Sequence, residues 1–529
     1  MTLRLCDLEW TYGDGDVPAV RGFTGTVEAG EKVLLTGPSG CGKSTLLRLA
    51  AGLLQRFGHG SMQGAVQVGG RDPARVSPAE RAALVGLVSQ DPGDQVITGT
   101  VGDEIAFAPE SAGWPAERIE ARIPEMMDRA GLQVALDRDP RALSGGQQQR
   151  LVVAATLAVG APVLLLDEPL AQLDPAGARA LLDRLDDLAA AGTAILLVEH
   201  RLEPCLGWCD RVWWMQEGAL RHAGPPADLA PETLRAGGLR VPDLLEVEHL
   251  LRARGRSLAE AGIDPLRPGR PARPGGHPPQ IPPPETPVLR ARGLAHRYGR
   301  VEALRDVSVA LGAGERVAVV GANGAGKSTL LAALAGEVGI GTVQADGRVL
   351  GVPQDPDLAL FCESVREEIA YGPREARRPP EEVAATVAAV AGALGLEPLL
   401  DRAPQALSRG QRLRVAVGAA LACRPRILLL DEPTAGQDEA NVEGLLDALS
   451  GALPDGALVF ATHDVRLALR FATRVLVLDA GRLVADVRPD DLPAALPPGG
   501  AVALPPLAAL CAARGWPPLA PDAFAARWA

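Results

Sequence analysis

Short unbroken apolar runs punctuate this chain, and each stops at a glycine loop or an acidic pair. Residues 33–36 (VLLT) and 317–320 (VAVV) run straight into glycine-rich loops. That pattern predicts a buried strand, a tight loop and then a helix. Residues 163–166 and 427–430 end in Asp-Glu, which predicts buried parallel strands whose carboxyl ends present acids to a crevice. Residues 116–130 and 380–394 read as helices. The longest apolar stretch, residues 151–166, contains Gly160 and Pro162 and ends at Asp167. It is shorter than the roughly 20 residues a spanning helix needs, so it reads as a buried helix followed by a buried strand. The first residues, MTLRLCDLEW, lack a signal-type apolar run. A soluble protein is expected, with any membrane role carried by partners.

The pattern occurs twice. GPSGCGKST at residues 37–45 is answered by GANGAGKST at 321–329, LSGGQ at 143–147 by LSRGQ at 407–411, and LLLDEP at 164–169 by LLLDEP at 428–433. Gln90 and Gln354, Leu143 and Leu407, and Asp167 and Asp431 are each 264 positions apart, and His200 and His463 are 263 apart. Spacing this regular marks a copied structural unit. Upstream, Gly37 and Gly321 are 284 apart, so the second copy has lost about 20 residues between its glycine loop and its glutamine. The corresponding stretch of the first copy reads as short strands and turns, which predicts a trimmed β-layer in the second.

Between the copies, residues 265–287 hold ten prolines, with Arg267, Arg270 and Arg273 interspersed. Such a segment favours extended polyproline II. At about 3.1 Å per residue it reaches roughly 70 Å. The expected organisation is a first domain at 1–235, a linker at 236–287 that is Pro-rich from 265, a second domain at 288–490 and a Pro/Ala-rich tail at 491–529.

Each loop points to phosphate chemistry. In Gly37, Pro38, Ser39, Gly40, Cys41 and Gly42 the glycines let successive backbone N–H groups turn toward phosphate oxygens. Lys43 adds charge, the Ser44 hydroxyl suits Mg²⁺, and Thr45 follows. Gly321, Ala322, Asn323, Gly324, Ala325, Gly326, Lys327, Ser328 and Thr329 repeat the arrangement. Asp167 and Asp431 each end an apolar strand, where an unpaired carboxylate is costly; a Mg²⁺ contact explains the acid. Glu168 and Glu432 follow, placed to polarise an attacking water.

Composition narrows the class. Hydrophobic residues at 47% indicate a globular chain, and aromatics at 3% argue against a stacking surface for single-stranded nucleic acid. A net charge of −12 gives no overall basic field for phosphate backbones. Seven scattered cysteines imply no disulfide framework and fit a reducing compartment. Cys205 and Cys209, four apart, read as packing residues.

Over residues 2–235 and 288–488 the motif set resembles the ATPase domains of ATP-binding cassette proteins; LSGGQ followed by QQR is its specific mark. The resemblance implies a P-loop α/β fold in two copies, each a mainly parallel sheet with an antiparallel β layer and a helical subdomain. It implies ATP and Mg²⁺ as cofactors. Tyr12 and Tyr298 correspond to the aromatic that stacks on adenine, Gln90 and Gln354 to the glutamine that senses Mg²⁺ and water, His200 and His463 to the switch histidine, and Asp174 and Asp438 to the aspartate that communicates between domains. Two such domains pair head to tail. Ser144, Gly145, Gly146 and Gln147 would then complete the site of Lys327, and Ser408, Arg409, Gly410 and Gln411 that of Lys43, as helix N-termini that meet phosphate. Arg409 in place of Gly145 narrows the accessible backbone angles and adds charge, and AGQDEA at 435–440 departs from AQLDPA at 171–176. The two sites are therefore expected to be unequal, with the second carrying most hydrolysis.

Residues 90–110, QDPGDQVITGTVGDEIAFAPE, resemble the energy-coupling factor group of importers, as do QDPDLALFCESVREEIAYGP at 354–373 and LVEHRLE around His200. That resemblance implies integral membrane subunits as partners, docking through the segments after Gln90 and Gln354, with a separate membrane subunit binding the vitamin or transition metal. The location implied is the cytoplasmic face of the membrane. Val96, Ile97, Val101 and Ile105 suit a helix-in-groove contact. A fused sugar or peptide importer ATPase is the alternative. A translation-associated ATPase fits less well with the proline-rich join and acidic charge.

Overall fold

A computed structural model describes the chain except Met1, Asp14, Asp16, Ser39, Asp91, residues 171–172, Gly238, residues 267–280, 435–438 and 497–501, and Ala529. Ser39, Asp438 and most of the proline-rich stretch thus lie outside the described residues. The chain divides into two compact units, Met1–Pro268 and Gly269–Ala529.

The first unit contains β1 (Leu3–Tyr12), β2 (Val20–Val27), β3 (Lys32–Thr36), β4 (Gly60–Val68), β5 (Val85–Val88), β6 (Val163–Asp167), β7 (Ala194–Val198), β8 (Arg211–Gln216) and β9 (Ala219–Gly224). A six-stranded sheet runs β5-β6-β7-β3-β8-β9 and an antiparallel layer runs β2-β1-β4. The six strands are parallel except for the β8–β9 pair. Alternation along β3 explains the layering, because side chains of successive residues face opposite sides. Leu34 joins a core with the helices Val101–Ser111, Gly145–Leu157 and Pro175–Ala190, whereas Val33 and Leu35 join a core with the antiparallel layer and the helix Lys43–Ala50. Strand β6 is buried along its whole length, as an apolar run covered on both faces must be.

The second unit repeats this with β10 (Leu289–Tyr298), β11 (Val301–Leu311), β12 (Arg316–Val320), β13 (Ile340–Ala345), β14 (Val349–Val352), β15 (Ile427–Asp431), β16 (Ala457–Thr462), β17 (Arg474–Asp479) and β18 (Arg482–Val487). Its sheets run β14-β15-β16-β12-β17-β18 and β11-β10-β13. The antiparallel layer keeps three strands, and the expected trimming takes the form of a shorter third strand, not a lost one. The first unit carries the short helices Leu54–Phe57 and Pro78–Ala82 between its glycine loop and β5, and the second passes directly from β13 to β14. The deletion removed helices and connections, together with a shortening of the third strand from nine residues to six. Val343 on the shortened strand still packs against the core under this layer, apolar contact that a lost strand would forfeit.

Residues 239–258, assigned above to the linker, also differ from expectation. Leu239, Val241, Leu244, Val247 and Leu251 are buried, the last three on the helix Asp243–Arg252. In the tail, the helix Pro506–Ala513 buries Leu507, Leu510 and Cys511, and Val502 and Leu504 pack on the second unit's core. Among the described residues, no helix is long and apolar enough to cross a membrane.

Arg474 on β17 is 4% exposed at its side chain. It donates to both carboxylate oxygens of Asp486 on β18 (2.7 and 2.6 Å) and to the Ala310 carbonyl on β11 (2.8 Å), and it pairs with Glu315 at 3.2 Å. Truncating one partner of a buried pair leaves the other charge uncompensated. Arg474→Ala is expected to destabilise the second unit by about 3–5 kcal/mol, read by scanning calorimetry. The matching Arg211 in the first unit pairs with Glu31 but is 34% exposed, so Arg211→Ala is expected to cost less. Equal losses would contradict this ordering.

Candidate functional site

In each unit the candidate residues converge because they follow the carboxyl ends of adjacent parallel strands, the usual crevice of an open α/β sheet. The glycine loop follows β3, Asp167-Glu168 ends β6, His200 follows β7 and Gln90 follows β5.

The glycine loops turn into their helices through a left-handed residue. Gly42 has φ 103° and Gly326 φ 100°, and a Cβ there would sit 2.2 Å from the Ala19 carbonyl oxygen or 2.3 Å from that of Ala303. Only glycine fits. The buried Lys43 ammonium donates to the carbonyls of Gly37 and Pro38 (both 2.8 Å), and Lys327 to those of Gly321 and Ala322 (3.0 and 3.2 Å). Burial pulls the Lys43 ammonium below its ordinary range, against the opposing pull of Cys41 and Glu168. Tyr12 bonds its hydroxyl to Thr45 (3.1 Å) and is 38% exposed; Tyr298 stacks edge-on with His296 and is 54% exposed. Both rings are thus open to a ligand.

Glu168 and Glu432 are non-glycine residues at positive φ, 49° and 47°. Such a conformation costs of order 1–3 kcal/mol and persists only when its surroundings enforce it. The Glu168 N–H donates to the Val198 carbonyl and that of Glu432 to Ala461, each at 2.9 Å. The Glu168 carboxylate takes Gln90 Nε2 at 2.8 Å and His200 Nε2 at 3.0 Å. Glu432 meets His463 Nδ1 at 3.0 Å and Lys327 at 3.5 Å. Burial alone would raise both carboxyls; the histidine and lysine contacts outweigh it and leave both below their usual range. Charged carboxylates held here can accept a proton from water.

Asp167 and Asp431 behave oppositely. Burial raises both carboxyls, partly offset by hydrogen bonds with Ser44 and Ser328. One oxygen of each, Oδ1, is buried without a hydrogen-bond partner among the described residues. Two orphaned acceptors beside serine hydroxyls are a donor set that suits a hard cation.

The structure separates other candidates. Gln354 is exposed, and its hydrogen bond to Glu432 is absent among the described residues, unlike the Gln90–Glu168 bond. Ser144 and Ser408 begin the helices Gly145–Leu157 and Arg409–Ala422, each in a capping box closed by Gln147 or Gln411. Gly145 and Arg409 are therefore first-turn residues with ordinary helical φ, and the expected narrowing of backbone angles at Arg409 does not arise. What remains is its charge beside a helix N-terminus, where the dipole disfavours cations and attracts anions. Val101 and Ile105 are fully buried and Val96 is 9% exposed, so these three pack internally; Ile97 (58%) and Phe107 (46%) are the exposed ones. Cys205 and Cys209 are buried in the core.

Several positioning residues were missed. Glu104 accepts from the Ile97 and Thr98 N–H groups (3.1 and 2.8 Å), and Glu368 from those of Phe361 and Cys362 (3.0 and 2.7 Å). Both are buried, and they lie 264 positions apart; the repeat spacing itself would have found them. Gln95 accepts from the Ser89 N–H (2.7 Å) and donates to the Leu87 carbonyl (3.0 Å), bracing the chain before Gln90. Its counterpart is Ala359, so no copied signal marked it.

Residues 20–171 and 304–435 match the family model described as ABC transporter. A protein of Streptomyces avermitilis is 38% identical over 92% of this chain and 93% of its own, and one of Methanosarcina acetivorans 35% identical over 92% and 84%. Both carry the name "Putative ABC transporter ATP-binding protein". Among solved structures, CbiO1 from Clostridium perfringens, described as part of the ABC transporter complex cbiONQ, is 29% identical over 39% of this chain and 91% of that one, with a TM-score of 0.37. Two matched regions, one in each unit, and relatives aligned along almost the whole length place this chain in the ABC transporter family as an ATPase with two ATP-binding domains in tandem.

Proposed function

We propose that the chain is the energy-coupling ATPase of a membrane importer of the energy-coupling factor type, working at the cytoplasmic face of the membrane. The observation that carries the reading is a duplicated apolar surface. Ile97 and Phe107 stand exposed after Gln90, and Leu358, Phe361 and Tyr371 after Gln354, at 45–79% exposure. These are the segments whose sequence resembles that importer group. Glu104 and Glu368 hold the backbone under Ile97 and Phe361 from within, so those two are presented on braced loops, while Phe107 and Tyr371 stand on the helices that follow. Exposed aromatics on a rigid base suit a hydrophobic helix of a partner.

Within each unit, the loop N–H groups with Lys43 or Lys327 hold ATP phosphates, and Tyr12 or Tyr298 stacks on the base. Ser44, Gln90 and Asp167, or Ser328, Gln354 and Asp431, hold Mg²⁺, which supplies charge neutralisation at the phosphates. Glu168 and Glu432 take the proton of the attacking water, and His200 and His463 hold those carboxylates in place. Head-to-tail pairing of the units, expected from the resemblance, brings Ser408 and Gly410, or Ser144 and Gly146, to complete each cage.

The test is co-expression with transmembrane subunits of an energy-coupling factor importer. Ile97→Asp with Phe107→Asp is expected to lower recovery of the transmembrane subunit by at least about tenfold while ATP binding persists. Undiminished recovery, or stable association with ribosomes instead, would reject the reading.

A further inference from the structure

The first unit contains a buried carboxylate that the reaction scheme does not use. Glu199 sits between Val198, the last residue of β7, and His200, and is 1% exposed. Its Oε1 accepts the Leu170 N–H at 2.7 Å, and its Oε2 accepts the N–H groups of His200 (3.2 Å) and Arg201 (3.4 Å). Arg201 completes the grip by donating to the carbonyls of Leu170 (3.1 Å) and Leu173 (3.2 Å). The Leu170 peptide is thereby held on both sides, two residues after Glu168.

We infer that Glu199, together with Arg201, is a positioning residue that fixes the segment behind Glu168 for hydrolysis in the first unit. Glu168 occupies a strained backbone conformation, which persists only when the chain on either side is tied down. The near side is tied by the Glu168 N–H on Val198, and the far side by Glu199 and Arg201. A buried carboxylate is costly to retain; burial pushes this one up to about 7, against the pull of Arg201. That cost is offset by nothing in packing alone, since an apolar side chain would fill the space more cheaply.

Among the described residues, the second unit shows no matching far-side tie. Glu432 keeps its own N–H bond to Ala461, but Thr462 and Asp464 stand where Glu199 and Arg201 stand in the first. Thr462 Oγ1 accepts the Asp464 N–H (3.0 Å), and the Asp464 carboxylate caps the following helix, Val465–Phe471. Thr434, the counterpart of Leu170, has its hydroxyl buried without a hydrogen-bond partner among the described residues. Among the described residues the brace occurs in the first copy, and it holds the half-site built on Lys43, Gln90, Glu168 and His200.

The inference rests on the proposed role of Glu168, and two readouts on the full-length chain keep the claims apart. In Glu199→Thr, amide exchange over residues 168–174 is expected to rise by at least about tenfold, with the segment after Glu432 unchanged. In a Glu432→Gln background, which leaves turnover to the first half-site, Glu199→Thr is expected to lose about tenfold in kcat for ATP with KM within twofold, the signature of a lost transition-state arrangement. Glu199→Gln keeps an acceptor for the Leu170 N–H and is expected to retain at least about half of kcat. Arg201→Met, which spares the buried carboxylate position, is expected to show the same kcat-only loss and carries the test if Glu199→Thr does not fold. Unchanged kcat, a rise in KM at constant kcat, or a Gln variant as impaired as the Thr variant would each overturn the inference. Glu168→Gln in the same Glu432→Gln background reads the underlying role: if its kcat is unchanged, the proposed role of Glu168 fails, whereas the exchange result still reports the brace.

Discussion

Replacing both Glu168 and Glu432 with Gln is expected to lower ATP hydrolysis by about 10²–10³-fold while leaving ATP binding intact. The amide is nearly isosteric with the carboxylate and can still bond His200 or His463, so the strained backbone and the surrounding contacts survive. What disappears is a group able to take a proton from water. Both carboxyls are held below their usual range, so each is fully ionised at neutral pH and a glutamine substitution removes that capacity outright. The single variants are expected to differ, with Glu432→Gln the more damaging. If the units pair head to tail, Arg409 acts on the site built on Lys43. Arg409 adopts ordinary first-turn geometry in the helix Arg409–Ala422, so its backbone does not set the two sites apart. Its charge does: a guanidinium beside the helix N-terminus binds phosphate more tightly and opposes its release. Steady-state ATPase rates of the two single variants decide the matter. Equal losses would remove the asymmetry.

The chemistry-bearing residues were legible because each stands at the end of an apolar run. A strand buried on both faces must be continuously apolar, so the point where VLLLD or ILLLD turns acidic marks the crevice. The repeat spacing then tied residues far apart in sequence, such as Gln90 and Glu168, to one place. Burial of individual side chains was less legible. Val101 and Ile105 look like Ile97 in sequence, yet their helix turns them inward while Ile97 precedes it; a short apolar cluster does not tell which face it takes. The helix Asp243–Arg252 was hidden by the proline-rich composition that follows it. Glu199 and Arg201 were invisible for a different reason. Their role depends on the path of the chain 29 residues earlier at Leu170, and the second copy holds Thr462 and Asp464 instead, so no repetition drew attention to them.

Gly326→Ala is expected to be far more damaging than Gly324→Ala, although both glycines lie in one loop at positive φ. Gly324 has φ 80° and nothing within 4 Å of an added Cβ. Its substitution therefore carries the conformational penalty alone, about 1–2 kcal/mol. Gly326 has φ 100°, and its Cβ would lie 2.3 Å from the Ala303 carbonyl oxygen and 3.3 Å from Leu304 Cδ2. A backbone oxygen at that distance cannot give way as a flexible side chain can. Either the start of β11 or the loop must shift, adding about 1–3 kcal/mol of overpacking. The helix Lys327–Leu334 should survive, because Leu330, Leu331 and Leu334 anchor it in the core. What shifts is the loop relative to that helix, and Lys327, bonded to the Gly321 and Ala322 carbonyls, shifts with it. Melting curves without nucleotide separate the two costs, since about 1 kcal/mol moves the midpoint of a domain this size by roughly 2–4 °C. Nucleotide titration should then show at least about a tenfold loss of affinity at the second loop for Gly326→Ala, because phosphate coordination depends on every N–H of the loop holding its direction. Equal melting shifts in the two variants would mean that the carbonyl of Ala303 yields freely, and that close approach is not why glycine stands at this position.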